Sequence, residues 1–179
     1  DQSVPAGRLS LEQDELLGLS GNSGGSGGPH LHFEIRDTKT QNALNALKHG
    51  IDKPDNIPPT IKGVRIVELD DHLNTVSHRK IESGRTYSVP SRIGIEVSSF
   101  DRLNGANNRN GIYSLELYVD SQKSFQFIAD DISFSEKRYI NALNNYNDRA
   151  CCNSWWTRTY SLPGNNLKNQ KAIMGDGVI

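Results

Sequence analysis

No apolar run in the chain approaches the ~20 residues that cross a bilayer, and the opening DQSVPAGR has neither an initiator methionine nor a signal-like hydrophobic stretch. An excess of one charge is lacking too: 20 basic against 21 acidic residues leave a formal net charge of -1, with no long run of either sign. That balance argues against nucleic acid as a partner. Cysteine is confined to the adjacent Cys151 and Cys152. A bond between neighbours strains the peptide, so the pair builds no disulfide framework, and without CxxC spacing it makes a poor zinc site. Methionine occurs once, at Met174, and the closing GDGVI reads as a strand just beginning. Both features imply a fragment cut at either end.

What remains is ordinary soluble composition, 35% hydrophobic and 23% charged over 179 residues, enough for one domain or two small ones. A chain of this size buries roughly 70% of its unfolded surface, so it needs neither disulfide nor metal merely to fold. The segment HGIDKPDNIPPT, with three prolines, interrupts any periodic pattern. It divides the chain into residues 1–50, a linker at 51–58, and a longer part at 59–179.

The longer part reads as all-β, an antiparallel sandwich. TIKGVRIVEL and RIGIEVSSFD alternate as strands, the second with Ile93, Ile95 and Val97 on one face. Asn110-Gly111 suits a tight hairpin turn, after which Tyr113, Leu115, Leu117 and Val119 alternate with polar residues. KSFQFIA supplies a strand with Phe125 and Phe127 on one side, and SWWTRTYSL a later one ended by Pro163-Gly164. Several short strands with turn signals between them suggest a sandwich. SFSEKRYINALNNYND breaks the pattern, as a short helix or a long excursion. Trp155 and Trp156 read as packing residues rather than as a glycan platform, since aromatics dominate core energetics.

Residues 1–50 contain GNSGGSGGPHLHFEIR. Its first half has linker composition, but apolar ELLGLSGN enters it and LHFEIR leaves it, as two strands would enter and leave a site loop. On a strand, His30, His32, Glu34 and Arg36 share one face while Leu31, Phe33 and Ile35 point to the core. The two histidines then lie roughly 6.6 Å apart at Cα, close enough for both rings to converge on one centre, which could be a metal. An exposed polar strand face is the alternative. Zinc catalysis needs three protein ligands, and two histidines are not enough.

GLSGNSGGSGGPHLHFEIR closely resembles the C-terminal signature of the lysostaphin/LytM-type zinc endopeptidases, which hydrolyse peptide cross-links of bacterial peptidoglycan. The match runs from Leu16 to Arg36 and continues weakly through NALNAL. The resemblance implies a catalytic role for His30, assisting substrate or transition-state oxyanion, and a zinc ligand at His32. For Glu34 it implies a supporting role beside the ligands or a structural one. It further implies that Gly24 to Pro29 form a loop beside the substrate groove, and that zinc-activated water attacks a peptide carbonyl. The family's HxxxD motif, which supplies the other two ligands, does not occur upstream of Gly21. Asp70, Asp71 and His72 look like an exposed strand end rather than its replacement.

The remainder, through NRNGIYSLEL and SFSEKRYIN, also resembles the immunoglobulin-like domain that follows such peptidases in some surface or periplasmic proteins of Gram-negative bacteria. Residues 1–50 are then the C-terminal remnant of a LytM-type β-sheet peptidase domain, in a protein placed outside the cytoplasm. Its partners would be peptidoglycan peptides, with cell-envelope proteins bound through the sandwich. A fragment of this kind is expected to bind zinc weakly and to hydrolyse nothing by itself. Two alternatives stand beside that reading. One is a degenerate relative that binds cell wall or activates a hydrolase; the other is an adhesion or glycan-binding sandwich on a linker.

Overall fold

The computed structural model describes all residues except 1–3, 6, 26, 52 and 53. The described chain is all-β, with three antiparallel sheets and few, short helices. Residues 1–33 and 34–179 form separate compact units. The described part of the first unit contains turns but no strand, among them a bend at Gly24, whose φ of 82° suits glycine.

In the second unit, β1 (Ile35–Arg36) pairs with β2 (Ala43–Leu44), and β2 pairs with β8 (Asp131–Ile132). Strand pairing therefore joins the segment after Glu34 to the later chain, across the proline-rich stretch at 51–58. Side chains reinforce that sheet. Lys48, at the end of a 3-10 turn over Ala46–Lys48, forms an ion pair with Asp130, which also accepts the Tyr113 hydroxyl at 2.6 Å. These bonds hold the Asp130 carboxyl below its usual range, the Lys48 bond most strongly. Arg36 lies over the Phe134 ring at 4.6 Å.

The largest sheet runs β4 (Thr75–Ile81), β3 (Thr60–Leu69), β5 (Ile93–Phe100), β9 (Thr157–Arg158). TIKGVRIVEL and RIGIEVSSF are strands as their alternation predicts. SWWTRTYSL contributes only the two residues of β9, and Pro163-Gly164 forms the turn expected beyond it. The third sheet runs β10 (Gln170–Ala172), β7 (Gln122–Ile128), β6 (Ser114–Val119). Its tight turn is Asp120-Ser121, not Asn110-Gly111. Val119 pairs with Gln122, and both turn residues take positive φ, 48° and 64°, as a two-residue hairpin with right-handed strand twist requires. Asn110 instead bridges Asp101 at the neck of a longer loop.

SFSEKRYINALNNYND is helical in short pieces: a 3-10 turn over Phe134–Tyr139, then α1 (Ile140–Leu143) and α2 (Tyr146–Cys152). Asn145 caps α2 by accepting the Asp148 backbone N–H at 3.4 Å. Cys151 and Cys152 are bonded to each other. Being adjacent in one helix, they tie no two elements together.

Two apolar clusters stabilise the unit. Val67, Leu69 and Leu73 pack with Tyr160, flanked by Leu162 and Val178. Phe125, Leu143 and Leu167 form the other, with Leu115, Leu117 and Phe127 beside them. The first depends on a missing side chain. Gly94 lies opposite Val67, and a Cβ there would meet the Tyr160 ring at 2.4 Å. Gly94→Ala should therefore displace the tyrosine and cost about 1–3 kcal/mol, as overpacking does. Urea denaturation checks this, and unchanged stability would show that the ring can move aside freely.

Candidate functional site

The sequence directs attention to His30, His32 and Glu34. The first two lie in residues 1–33, and both are exposed. His30 donates its Nδ1 proton to the Gly28 carbonyl at 3.0 Å. A carbonyl can only accept, so the bond requires the proton on Nδ1. Glu34 opens the second unit, where its carboxylate accepts Arg36 Nε at 2.7 Å and pairs with Nη2 at 2.6 Å. Glu34 and Arg36 thus meet through their side chains, with Glu34 just outside the strand.

The apolar face departs from expectation. Leu31 is 85% exposed and Phe33 60%, while Ile35 alone is half-buried. Strand pairing begins only at Ile35. The reason is the obligatory pairing of backbone groups: a strand exists where a neighbour supplies N–H and C=O partners, and apolar side chains are buried only where a second layer covers them. Ile35 and Arg36 have β2 as that neighbour.

Among the described residues no group of three His, Cys, Asp or Glu side chains gathers as metal ligands. Two imidazoles from His30 and His32 fall short of the three ligands of catalytic zinc, and the Glu34 carboxylate is engaged by Arg36. These donors do not by themselves fit a catalytic zinc ion, and no step of hydrolysis can be derived through one. Asp70, Asp71 and His72 form the connection after β3. Asp70 accepts the backbone N–H groups of His72 and Asn74, each at 2.8 Å, and the Asn74 side chain at 2.9 Å. The Asn74 side chain, then its backbone, pulls the Asp70 carboxyl below the usual range. This is a turn built by aspartate, as its local hydrogen bonding favours.

The densest chemistry in the second unit was not foreseen. Arg65 of β3 faces Glu96 of β5, and Glu96 faces Arg158 of β9, so one row of the sheet reads positive, negative, positive. Glu96 is fully buried. It accepts Arg65 Nε at 2.9 Å, the Tyr160 hydroxyl at 3.0 Å and Asn145 Nδ2 at 3.2 Å. Arg158 Nε stands 3.5 Å from it, an ion pair without a hydrogen bond. Arg65 also binds Asp148 of α2 and stacks on Trp156 at 4.4 Å. Arg158 Nη1 donates to the carbonyls of Asn141, Ala142 and Asn144.

Burial works against the Arg65 charge, but the Asp148 and Glu96 carboxylates outweigh it and hold the guanidinium above its ordinary range. Burial, then the Glu96 charge, pushes the Tyr160 hydroxyl well up, keeping it a donor. Trp156 is buried, as the packing expectation had it, and Trp155 is 48% exposed with Arg149 over its ring at 4.4 Å. A glutamate inside RIGIEV, two residues after a glycine, was the available signal for this cluster.

Among the described residues no helix is long and apolar enough to cross a membrane. Comparisons with protein-family models, with curated proteins and with solved structures each return no match.

Glu96 is enclosed by donors, so its removal leaves Arg158 without a carboxylate and Arg65 with Asp148 alone. Glu96→Gln should cost about 3–5 kcal/mol in urea denaturation, the range for breaking a buried pair. A loss below about 1 kcal/mol would mean that the cluster relaxes without its anion.

Proposed function

We propose that the chain is the C-terminal part of a lysostaphin/LytM-type zinc endopeptidase acting on peptide cross-links of bacterial peptidoglycan, followed by an immunoglobulin-like β domain. The reading places the protein outside the cytoplasm. The observation that carries it is the contiguous signature GNSGGSGGPHLHFE, with glycine loop and histidine pair together. His32 is assigned to the metal. His30, whose Nδ1–H is engaged by the Gly28 carbonyl, is assigned to the substrate or developing oxyanion. Glu34, paired with Arg36, supports the strand that follows the histidines.

The remaining ligands must come from outside this sequence. The β domain then serves as the mount for β1, since β8 extends the sheet to which β1 belongs. On this reading the chain binds zinc weakly and is inactive by itself.

Zinc titration by calorimetry tests the separation of roles between the two histidines. His32→Ala should abolish the weak binding, whereas His30→Ala should leave most of it; equal effects of the two, or none from either, would remove the assignment. Zinc-dependent cleavage of a cell-wall peptide by the purified chain would show that it is not inactive by itself.

A further inference from the structure

The loop from Asp101 to Asn110 leaves β5 just after Phe100 and is closed at its neck by a two-way backbone pair. Asp101 N–H donates to Asn110 O at 2.9 Å, and Asn110 N–H donates to Asp101 O at 2.8 Å. The next positions inward on either side are Arg102 and Arg109, so the neck brings two cations to one end of the loop. Like charges so placed repel. Both also lie on one ring: Arg102 Cζ is 5.4 Å from the Phe100 centroid and Arg109 Cζ is 5.0 Å from it.

Other arginines of the second unit that are held close to like charge have carboxylates to offset it, as Arg65 and Arg158 do through Glu96. Among the described residues neither Arg102 nor Arg109 has a carboxylate within ion-pair distance. Asp101 accepts the Arg102 backbone N–H at 2.8 Å rather than its guanidinium. The Nε–H of Arg102 is buried and has no hydrogen-bond partner. An unpaired buried donor on a permanent cation is costly to retain, and such a group calls for an explanation. The ring contributes a cation–π attraction that holds the two guanidiniums in place without neutralising them.

We propose that the neck of this loop is a carboxylate-binding site, in which Arg102 and Arg109 take an acidic side chain or terminus of a peptide against the Phe100 ring. Guanidinium forks match a planar carboxylate in two parallel N–H···O bonds, and the aromatic edge suits the hydrocarbon next to it. The bound anion offsets the two positive charges at the neck. The site uses no residue of 1–33 and stands independently of the histidine pair.

The test follows the arginine Nε–H resonances by NMR while a tri-glutamate peptide is titrated in, with tri-glutamine as neutral control and inorganic phosphate as competing anion. Saturable shifts of the Arg102 and Arg109 resonances with tri-glutamate, weakened by salt and absent with tri-glutamine, are expected. Arg109→Gln, at an exposed position, should weaken binding at least tenfold with an unchanged circular dichroism spectrum, whereas Arg149→Gln should not alter it. Absence of saturable shifts, binding of phosphate without the peptide, or wild-type affinity in Arg109→Gln would each overturn the proposal.

Discussion

The ion pair between Arg65 and Glu96 is the interaction on which the second unit depends. Two charges taken out of water cost several kcal/mol each unless every donor and lone pair finds a partner. Here the partners come from separate parts of the chain: Tyr160 and Arg158 from around β9, Asn145 and Asp148 from the start of α2, and Trp156 as the surface on which Arg65 stacks. The charges therefore fix where the helical excursion must sit. An apolar core alone would tolerate several placements of so short a helix, whereas a buried carboxylate with named donors tolerates few. Gly94 belongs to the same arrangement, since its missing side chain lets Tyr160 lie close enough to reach Glu96.

The histidine pair stands in a different physical setting. Residues 30–33 are exposed, while Ile35 and Arg36, immediately after Glu34, are paired and supported by β2, β8 and the Lys48–Asp130–Tyr113 group. The strand thus begins just after the histidine signature, where β2 supplies its partner. The β domain contributes such a neighbour through β8, which gives it a mechanical role in the proposed peptidase: it holds the strand that leads away from the two imidazoles. Leu31 and Phe33, just before β1, are both exposed.

Strands β3, β5, β6 and β7 were legible because each alternates over six residues or more and faces a layer of apolar side chains. The hairpin was misassigned because Asn-Gly is a strong local preference, yet Asp120-Ser121 can also adopt two positive φ values once the flanking strands pair. The helices around Leu143 and Asp148 were legible only as one of two alternatives: α1 and α2 are four and seven residues long, too short to carry a period, and are stabilised by burial and ion pairing. The charge cluster was hidden for a related reason. Alternation marks Arg65, Glu96 and Arg158 as a solvent face, and only the strands' order in the sheet brings opposite signs together beneath α2. In residues 1–33 the histidines and glycine loop were legible as a motif, but side-chain alternation presupposed a strand, and the first strand begins only at Ile35.

The central claim is that the Glu96 charge cluster couples the helical excursion to the four-stranded sheet as one cooperative unit. Native-state hydrogen exchange tests it most directly, by comparing the amides of Arg149 and Asn153 in α2 and at its cap with those of β3 and β5, in the wild type and in Asp148→Asn. The account predicts a common opening free energy for both sets in the wild type, and loss of protection in both when the Arg65–Asp148 link is weakened. If the α2 amides exchange far faster than the sheet in the wild type, or the substitution affects the helix alone, the charge cluster does not hold the unit together.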